Sequence, residues 1–182
     1  GSAVNTLTIR PASGVTASVT ATVASGAILK ILNSYVTIDG SNNGSNSRNL
    51  TLANASATAP TVVHIGSTGT SPITNVTLKN CVVINGATTA TAIVTSDGTA
   101  LGTEGYFNNI TIQNNDIQRA FIGSYSIAAL TAGNGNNLQI TNNLLNVAGA
   151  NAIRRIGIYI QGVDGTTVSG NAIGNFESTS GE

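Results

Sequence analysis

A short pattern repeats six times between residues 36 and 170. In nearly every copy an apolar residue alternates with a polar one over four positions, and the fifth position is always Asn or Gly. Five copies align without gaps, at residues 50–54, 76–80, 110–114, 138–142 and 166–170, and a sixth lies at 36–40. Successive copies are 14, 26, 34, 28 and 28 residues apart. The last four spacings are in the range of roughly 20–50 residues typical of solenoid repeats. Because 14 residues are too few for a comparable coil, residues 36–40 are expected on a different face.

The fifth and sixth positions of the pattern predict how each coil turns. Asn and Gly tolerate a left-handed backbone at low cost, so each strand is expected to end in a sharp bend. Asn at one place in successive coils can share amide hydrogen bonds. The predicted structural ladder consists of Asn54, Asn80, Asn114 and Asn142 at the fifth position, and Asn115, Asn143 and Asn171 at the sixth.

The alternation is the signature of strands with one buried face. A second apolar set lies between the copies, at residues 62–65, 92–94, 120–122 and 156–160, and no linking segment has a helical apolar stripe. Two-residue hairpin turns are not evident. The sequence therefore predicts an all-β fold, a right-handed parallel β-helix of about five to six coils. We expect one domain over residues 3–182, cut from a longer protein, with Gly1 and Ser2 left over from cloning.

Composition excludes several classes of function. Only 8% of the residues are charged and the net charge is zero, so the chain has no electrostatic footprint for nucleic acid. No apolar run is long enough for membrane insertion. The single cysteine, Cys81, permits no intrachain disulfide and falls in the sixth column of the repeat, where a small buried residue is expected.

The repeat also resembles a known group. The form Asn-x-Thr-Leu/Ile-x-Asn, at residues 49–54, 75–80 and 109–114, together with the stacked asparagines, resembles the parallel β-helices of the pectin-lyase-like superfamily. The similarity runs from about residue 28 to 176, and residues 7–14 resemble the lead-in strand of such helices. The chain is also similar to repeat regions of very large bacterial surface proteins. This resemblance implies a secreted or cell-surface protein of a bacterium.

The same resemblance implies an enzyme as one alternative, because the superfamily includes pectate lyases, pectin lyases and polygalacturonases. Of the motifs that its hydrolases carry, only Asn-x-Asp has a match, at residues 114–116, and the repeat itself supplies both asparagines. Asp116 and Arg119 are the weak catalytic candidates, and a surface ion pair between them is the preferred interpretation. His64 lies among apolar neighbours and is expected to be a hydrogen-bonded wall residue. No cofactor is predicted; a calcium site in the Asn-rich loops stays open.

Two outward features remain as candidate binding surfaces. Thr51, Thr77, Thr111 and Thr167 form a predicted exposed row on the strands. Because the next outward positions are mixed, a regular threonine lattice for ice binding is missing. Sugar stacking needs exposed aromatic rings, for which Tyr35, Tyr106 and Tyr125 are the best loop candidates.

The sequence thus favours a non-enzymatic structural or adhesive segment that can bind polysaccharide. A polysaccharide-acting lyase or glycoside hydrolase is the alternative, and an ice-binding solenoid is a second one. The open coil near residues 166–176 is expected to promote self-association through the coil ends.

Overall fold

The computed structural model describes residues 1–177, which form stacked coils of short strands. The first coil holds β1 (Leu7–Ile9), β2 (Ala17–Ala21) and β3 (Ser25–Ile31), and the second holds β4 (Val36–Asp39), β5 (Leu50–Asn54) and β6 (Ala59–Ile65). The third holds β7 (Ile73–Lys79), β8 (Cys81–Ile84) and β9 (Thr91–Thr95), and the fourth holds β10 (Phe107–Gln113), β11 (Asp116–Gln118) and β12 (Ile122–Ile127). The fifth holds β13 (Asn136–Thr141), β14 (Leu144–Leu145), a short 3-10 turn (Gly149–Asn151) and β15 (Ile156–Gln161). Strands β16 (Asp164–Ser169) and β17 (Ala172–Ile173) begin another coil.

Each coil contributes one strand to each of three parallel sheets. The first sheet has the order β1-β4-β7-β10-β13-β16, the second β2-β5-β8-β11-β14-β17, and the third β3-β6-β9-β12-β15. Every neighbouring pair of strands in the three sheets is parallel. The predicted all-β solenoid is confirmed, with about five turns. In the described part of the chain, no helix is long and apolar enough to cross a membrane.

The structure corrects the assignment of two copies of the repeat. Val36 pairs with Val76, so residues 36–40 lie on the same face as the later copies, contrary to the expectation. Residues 50–54 are the exception, because Leu50 pairs with Cys81 in the second sheet. The two sheets cannot be told apart from the pattern, since strands of both bury one face and show the same alternation.

The core is built from columns of aliphatic side chains that pair across coils. In the first sheet Ile38, Leu78, Ile112 and Ile140 are in register and no more than 2% exposed. Each such side chain contributes about 1.5–3 kcal/mol on burial. The column continues to Val168, which is 48% exposed because no further coil among residues 1–177 covers it. One coil therefore depends on the next for most of its stability.

The sixth column of the repeat is a line of hydrogen-bonded amides between the first and second sheets. Asn115 Nδ2 donates to Asn143 Oδ1 at 3.1 Å, and Asn143 Nδ2 donates to Asn171 Oδ1 at 2.9 Å. The Oδ1 atoms also accept hydrogen bonds from backbone N–H groups of the preceding coil; for example, Cys81 N donates to Asn115 Oδ1 at 3.0 Å. These side chains hold successive bends together at the boundary between the two sheets.

The fifth column has a different chemistry. Asn80, Asn114 and Asn142 have φ between 50° and 59°, as the predicted bends require. Asn114 Nδ2 donates to Asn80 Oδ1 at 2.7 Å, and Asn80 Nδ2 donates to Asp39 Oδ1 at 2.7 Å. Asn54 is corrected out of this column: it is the last residue of β5 in the second sheet, where its amide donates to Thr61 O and accepts from Val23 N.

A loop reinforces this column from outside. Arg48, in the segment between β4 and β5, donates from Nε to Asn114 O at 2.8 Å and from Nη2 to Asn114 Oδ1 at 2.6 Å. Burial raises the pKa of Asp39, but hydrogen bonds from Asn80 and Ser41 and the ammonium of Lys79 outweigh burial and bring that pKa below its ordinary value. The carboxylate of Asp39 is therefore a structural acceptor at neutral pH.

Candidate functional site

The two catalytic candidates do not form an acid–base pair. Asp116 lies on β11, where its Oδ2 accepts a hydrogen bond from Gln118 Nε2 at 2.9 Å, and Arg119 follows the strand with φ of 55° and an exposed side chain. Within residues 1–177 the ion pair found is Lys79 Nζ–Asp39 Oδ2 at 3.3 Å, so the expected pair between Asp116 and Arg119 is wrong. Gln118 bonds only Oδ2 of this carboxylate, and Oδ1 is buried without a hydrogen-bond partner among the described residues.

His64 is a buried residue of the third sheet. Its Nε2 lies 2.8 Å from the carbonyl oxygen of Asp97, which can only accept, so the proton of the neutral ring is on Nε2. Its Nδ1 is buried without a partner in the described residues. Burial lowers the pKa of His64, and the nearby charge of Lys30 lowers it further, although the Asp97 carbonyl acts in the opposite direction. The ring fastens the loop at residues 97–104 onto the sheet.

Acid should loosen this attachment. Since the pKa of His64 is below its ordinary value of 6.5 in the folded protein, the unfolded chain takes up this proton first. Stability from this residue is complete above about pH 6.5 and declines as the pH falls toward the folded pKa. Urea midpoints measured from pH 7.5 to 5 should fall for the wild type and stay nearly level for His64→Gln. Equal slopes for both proteins would contradict this assignment.

The lowered pKa values of Asp39 and Asp97 affect stability in a separate pH window, below about pH 4.

Cys81 is buried and its Sγ donates to Lys79 O at 3.2 Å. Burial, and then the charge of Asp39, raise the pKa of this thiol to about 12. At neutral pH the thiol is therefore protonated and packs as a small buried side chain, not as a nucleophile. Among residues 1–177, no group of three or more His, Cys, Asp or Glu side chains could hold a metal ion.

The exposed threonine row lies on the first sheet and differs from the prediction at one residue. Thr37, Thr77, Thr111, Gln139 and Thr167 are in register on the outer face of the first sheet. Thr51 lies on the second sheet opposite Val82, so it is corrected out of the row. The adjacent column contains Asp39, Lys79, Gln113, Thr141 and Ser169. This face therefore carries no regular two-column threonine lattice among the described residues.

Three threonines of this row, Thr37, Thr77 and Thr111, line a groove of about 500 Å³ that runs across the coils. Tyr35, Asn75, Asn109 and Asn137 line the groove, and each has a positive φ, between 51° and 59°. Tyr35 directly precedes β4, whereas the three asparagines are the second or third residue of β7, β10 and β13. The remaining lining residues are Thr6, Thr37, Thr77 and Thr111. The left-handed residue near the beginning of β7, β10 and β13 is a second Asn column, and in β7 and β10 it is the first Asn of the form Asn-x-Thr-Leu/Ile-x-Asn.

The aromatic candidates are distributed over different faces. Tyr35 lies at the first-sheet groove, and Tyr106 is half-buried. Tyr125 lies on β12 rather than in a loop, on the outer face of the third sheet. Its ring stacks on that of Tyr159 from the next coil, with centroids 5.0 Å apart and planes 13° apart. Sequence reasoning missed Tyr159, although it stands 34 residues after Tyr125 in a comparable apolar segment.

The other side of Tyr125 borders a small groove of about 220 Å³. Strands from the preceding coils and the loop at residues 97–104 form this groove, which is lined by Thr61, Thr91, Val94, Leu101, Gly102, Ile122 and Tyr125. Burial raises the pKa of Tyr125, as do the neighbouring Tyr159 and Glu104, so its hydroxyl stays protonated. The third sheet thus presents an apolar groove with an aromatic wall, which we call the aromatic recess.

Comparison of the chain with protein-family models, with curated proteins and with solved structures found no match.

Proposed function

We propose that this chain is a non-enzymatic, carbohydrate-binding β-solenoid segment of a large extracellular bacterial protein, built like the pectin-lyase-like superfamily. The single observation that carries the proposal is the stacked pair Tyr125–Tyr159 beside the groove on the third sheet. Flat aromatic rings next to hydroxyl groups are suited to the apolar faces of sugars and to their polar rims.

The geometry favours binding of one sugar unit at a time. The ring of Tyr125 stacks on Tyr159 and also borders the groove, so the stacking contact restrains its orientation before a ligand binds. Such preorganisation lowers the entropy cost of binding. Thr61 and Thr91 supply hydroxyls along the wall, while Val94 and Leu101 supply apolar contacts. At about 220 Å³ the groove is smaller than a typical drug-sized pocket of roughly 300–1,000 Å³.

The lining residues support binding over catalysis. Neither a carboxylate, an imidazole nor a cationic side chain lines the groove, and the acid whose charge acts on Tyr125 is the exposed Glu104. General acid–base catalysis of glycoside cleavage usually needs two carboxyl groups with different pKa values. A single exposed carboxylate does not provide that pair.

Affinity electrophoresis with xylan, galactan, polygalacturonate and alginate tests the proposal. We expect a neutral glycan to retard the wild type, and Tyr159→Ala and Tyr125→Ala to weaken binding about tenfold, a loss of about 1.4 kcal/mol. The matched variants Tyr125→Phe and Tyr159→Phe keep both rings and should bind within a few-fold of wild type. Thr141→Ala, on the first sheet, is the surface control.

Two results would reject the proposal. The first is that none of the four glycans retards the wild type, or that the wild type and the alanine variants are retarded equally. The other is release of unsaturated or reducing ends, with or without calcium, which Asp116→Ala or Arg119→Ala abolishes; this would establish the enzyme alternative.

Self-association through the coil ends is part of the proposed behaviour. Val168, Ile173 and Phe176 are between 43% and 48% exposed, and β16 pairs on one side only in the described chain. Unpaired strand edges next to apolar side chains invite pairing with another chain. Light scattering should show a mass that rises with protein concentration, and Val168→Lys should suppress that rise. A wild type that stays monomeric at millimolar concentration would disprove it.

A further inference from the structure

We propose that the groove on the first sheet is a second binding site, for an extended and uncharged glycan that lies along the solenoid axis. This first-sheet groove is lined by Thr6, Tyr35, Thr37, Asn75, Thr77, Asn109, Thr111 and Asn137. It shares no residue with the aromatic recess of the third sheet, and the two proposals stand on separate observations.

The floor of the groove offers free hydroxyls at regular intervals. Thr37, Thr77 and Thr111 are in register on adjacent strands and only half-buried. Neighbouring strands lie about 4.8 Å apart, so the hydroxyls recur at that interval along the axis. Their Oγ1 atoms form no hydrogen bond within the described residues, so both donor and acceptor capacity is available to a ligand.

The wall of the groove is a preoriented line of amides. Gln139 Nε2 donates to Asn137 Oδ1 at 3.2 Å, and Asn137 Nδ2 donates to Asn109 Oδ1 at 3.0 Å. Asn109 Nδ2 in turn donates to Thr74 Oγ1 at 3.1 Å. Each amide keeps a further hydrogen-bonding position, since a carboxamide has two N–H donors and two acceptor lone pairs. The chain of contacts fixes the directions in which these positions point, which reduces the entropy lost on binding.

The chemistry of the groove selects a neutral, hydroxyl-rich ligand. The strands beneath it, β4, β7, β10 and β13, are each paired on both sides, so no strand edge is open for an added peptide strand. The lining contains no charged residue, so an anionic polymer gains no electrostatic attraction. Hydroxyls and amides facing a concave surface match the hydroxyl groups of an uncharged sugar chain.

The length of the groove indicates an oligomer rather than one sugar. Its lining residues come from five successive coils, from Thr6 to Asn137, which corresponds to about 19 Å along the axis at the usual strand spacing. Tyr35 occupies the left-handed position of the second coil, where later coils carry Asn or Gly. Its ring provides an aromatic contact toward one end of the groove.

Calorimetric titration with the neutral pentasaccharides of xylan, mannan and cellulose tests this second site. Thr77→Val with Thr111→Val removes two floor hydroxyls and retains β-branched side chains, and Thr141→Val is the matched control outside the groove. Asn75→Gly with Asn109→Gly removes two amides at positions that glycine accepts. We expect each groove pair to weaken this binding about tenfold and Thr141→Val to leave it unchanged.

Titrations of Tyr125→Ala with Tyr159→Ala separate the two sites. This double variant should retain one pentasaccharide per chain, at an affinity that does not change between 50 and 500 mM salt. Loss of all binding in the tyrosine variant would overturn the second site and leave the proposed function intact. Retained binding in the tyrosine variant that the groove substitutions abolish supports the second site, even if the aromatic recess binds nothing.

Discussion

Replacement of Asn143 by Ala should lower the free energy of unfolding by about 3 kcal/mol. The Asn143 side chain is fully buried. Its Oδ1 accepts from Asn115 N at 2.9 Å and from Asn115 Nδ2 at 3.1 Å, and its Nδ2 donates to Ile112 O and Asn171 Oδ1, each at 2.9 Å. Alanine leaves the Asn115 N–H buried without an acceptor, and an unsatisfied group of that kind costs roughly 1–3 kcal/mol by itself.

Asn171→Ala is the matched control for this prediction. Asn171 makes the same kind of contacts, but it is only half-buried and ends the line of amides in the described chain. Water can replace some of the hydrogen bonds that Asn171→Ala removes, so the free energy of unfolding should fall by only about 1 kcal/mol. Urea denaturation followed by circular dichroism measures both. Equal costs for the two variants would show that burial does not govern the strength of this line.

Gly40→Asn should destabilise the protein by more than about 4 kcal/mol or prevent folding. The repeat places Gly40 in a column where other coils carry Asn. In the structure, however, Gly40 does not have a positive φ. A Cβ there would overlap the carbonyl oxygen of Asn80 and lie 2.6 Å from its carbonyl carbon. Because both are backbone atoms of a paired strand end, the neighbour cannot move aside cheaply.

Two other glycines provide the controls. Gly170 has a φ of 64°, and a Cβ there meets the side-chain oxygen of Asn142, which can rotate. Gly170→Asn should therefore be much milder than Gly40→Asn. Gly69→Ala, with no atom within 4 Å of the added Cβ, should stay within about 0.5 kcal/mol of wild type. The contradicting result is a Gly40→Asn protein that melts like the wild type.

The solenoid and its parallel strands could be predicted because they depend on local pattern. An apolar residue at every second position reports a strand with one buried face, and recurrence without a helical stripe leaves stacking as the way to cover that face. The sixth-column residues Asn115, Asn143 and Asn171 were visible for the same reason, since a 28-residue spacing puts them at one place in successive coils.

The candidate sites were only partly accessible from the sequence. Tyr125 and Tyr35 were identifiable as aromatic residues in polar surroundings, but the partner ring of Tyr159 comes from the next coil and depends on register. The amide wall of the first-sheet groove likewise needs Asn109 and Asn137 on neighbouring strands, 28 residues apart. The attachment of the loop at residues 97–104 by His64 joins segments 33 residues apart, which no local pattern predicts.

The sequence by itself determined that strands form, which of their faces is buried, and where Asn can turn the chain. Tertiary structure decided which sheet each copy of the repeat joins. Asn54 and Thr51 therefore lie in the second sheet and not in the columns that the sequence pattern predicts for them. Tertiary structure also gives two glycines of one column different roles. Gly170 supplies a left-handed bend, whereas Gly40 leaves space for the backbone of Asn80. The physical reason is that alternation encodes only one buried face per strand, whereas the identity of the neighbour is set by loop lengths and by packing between coils.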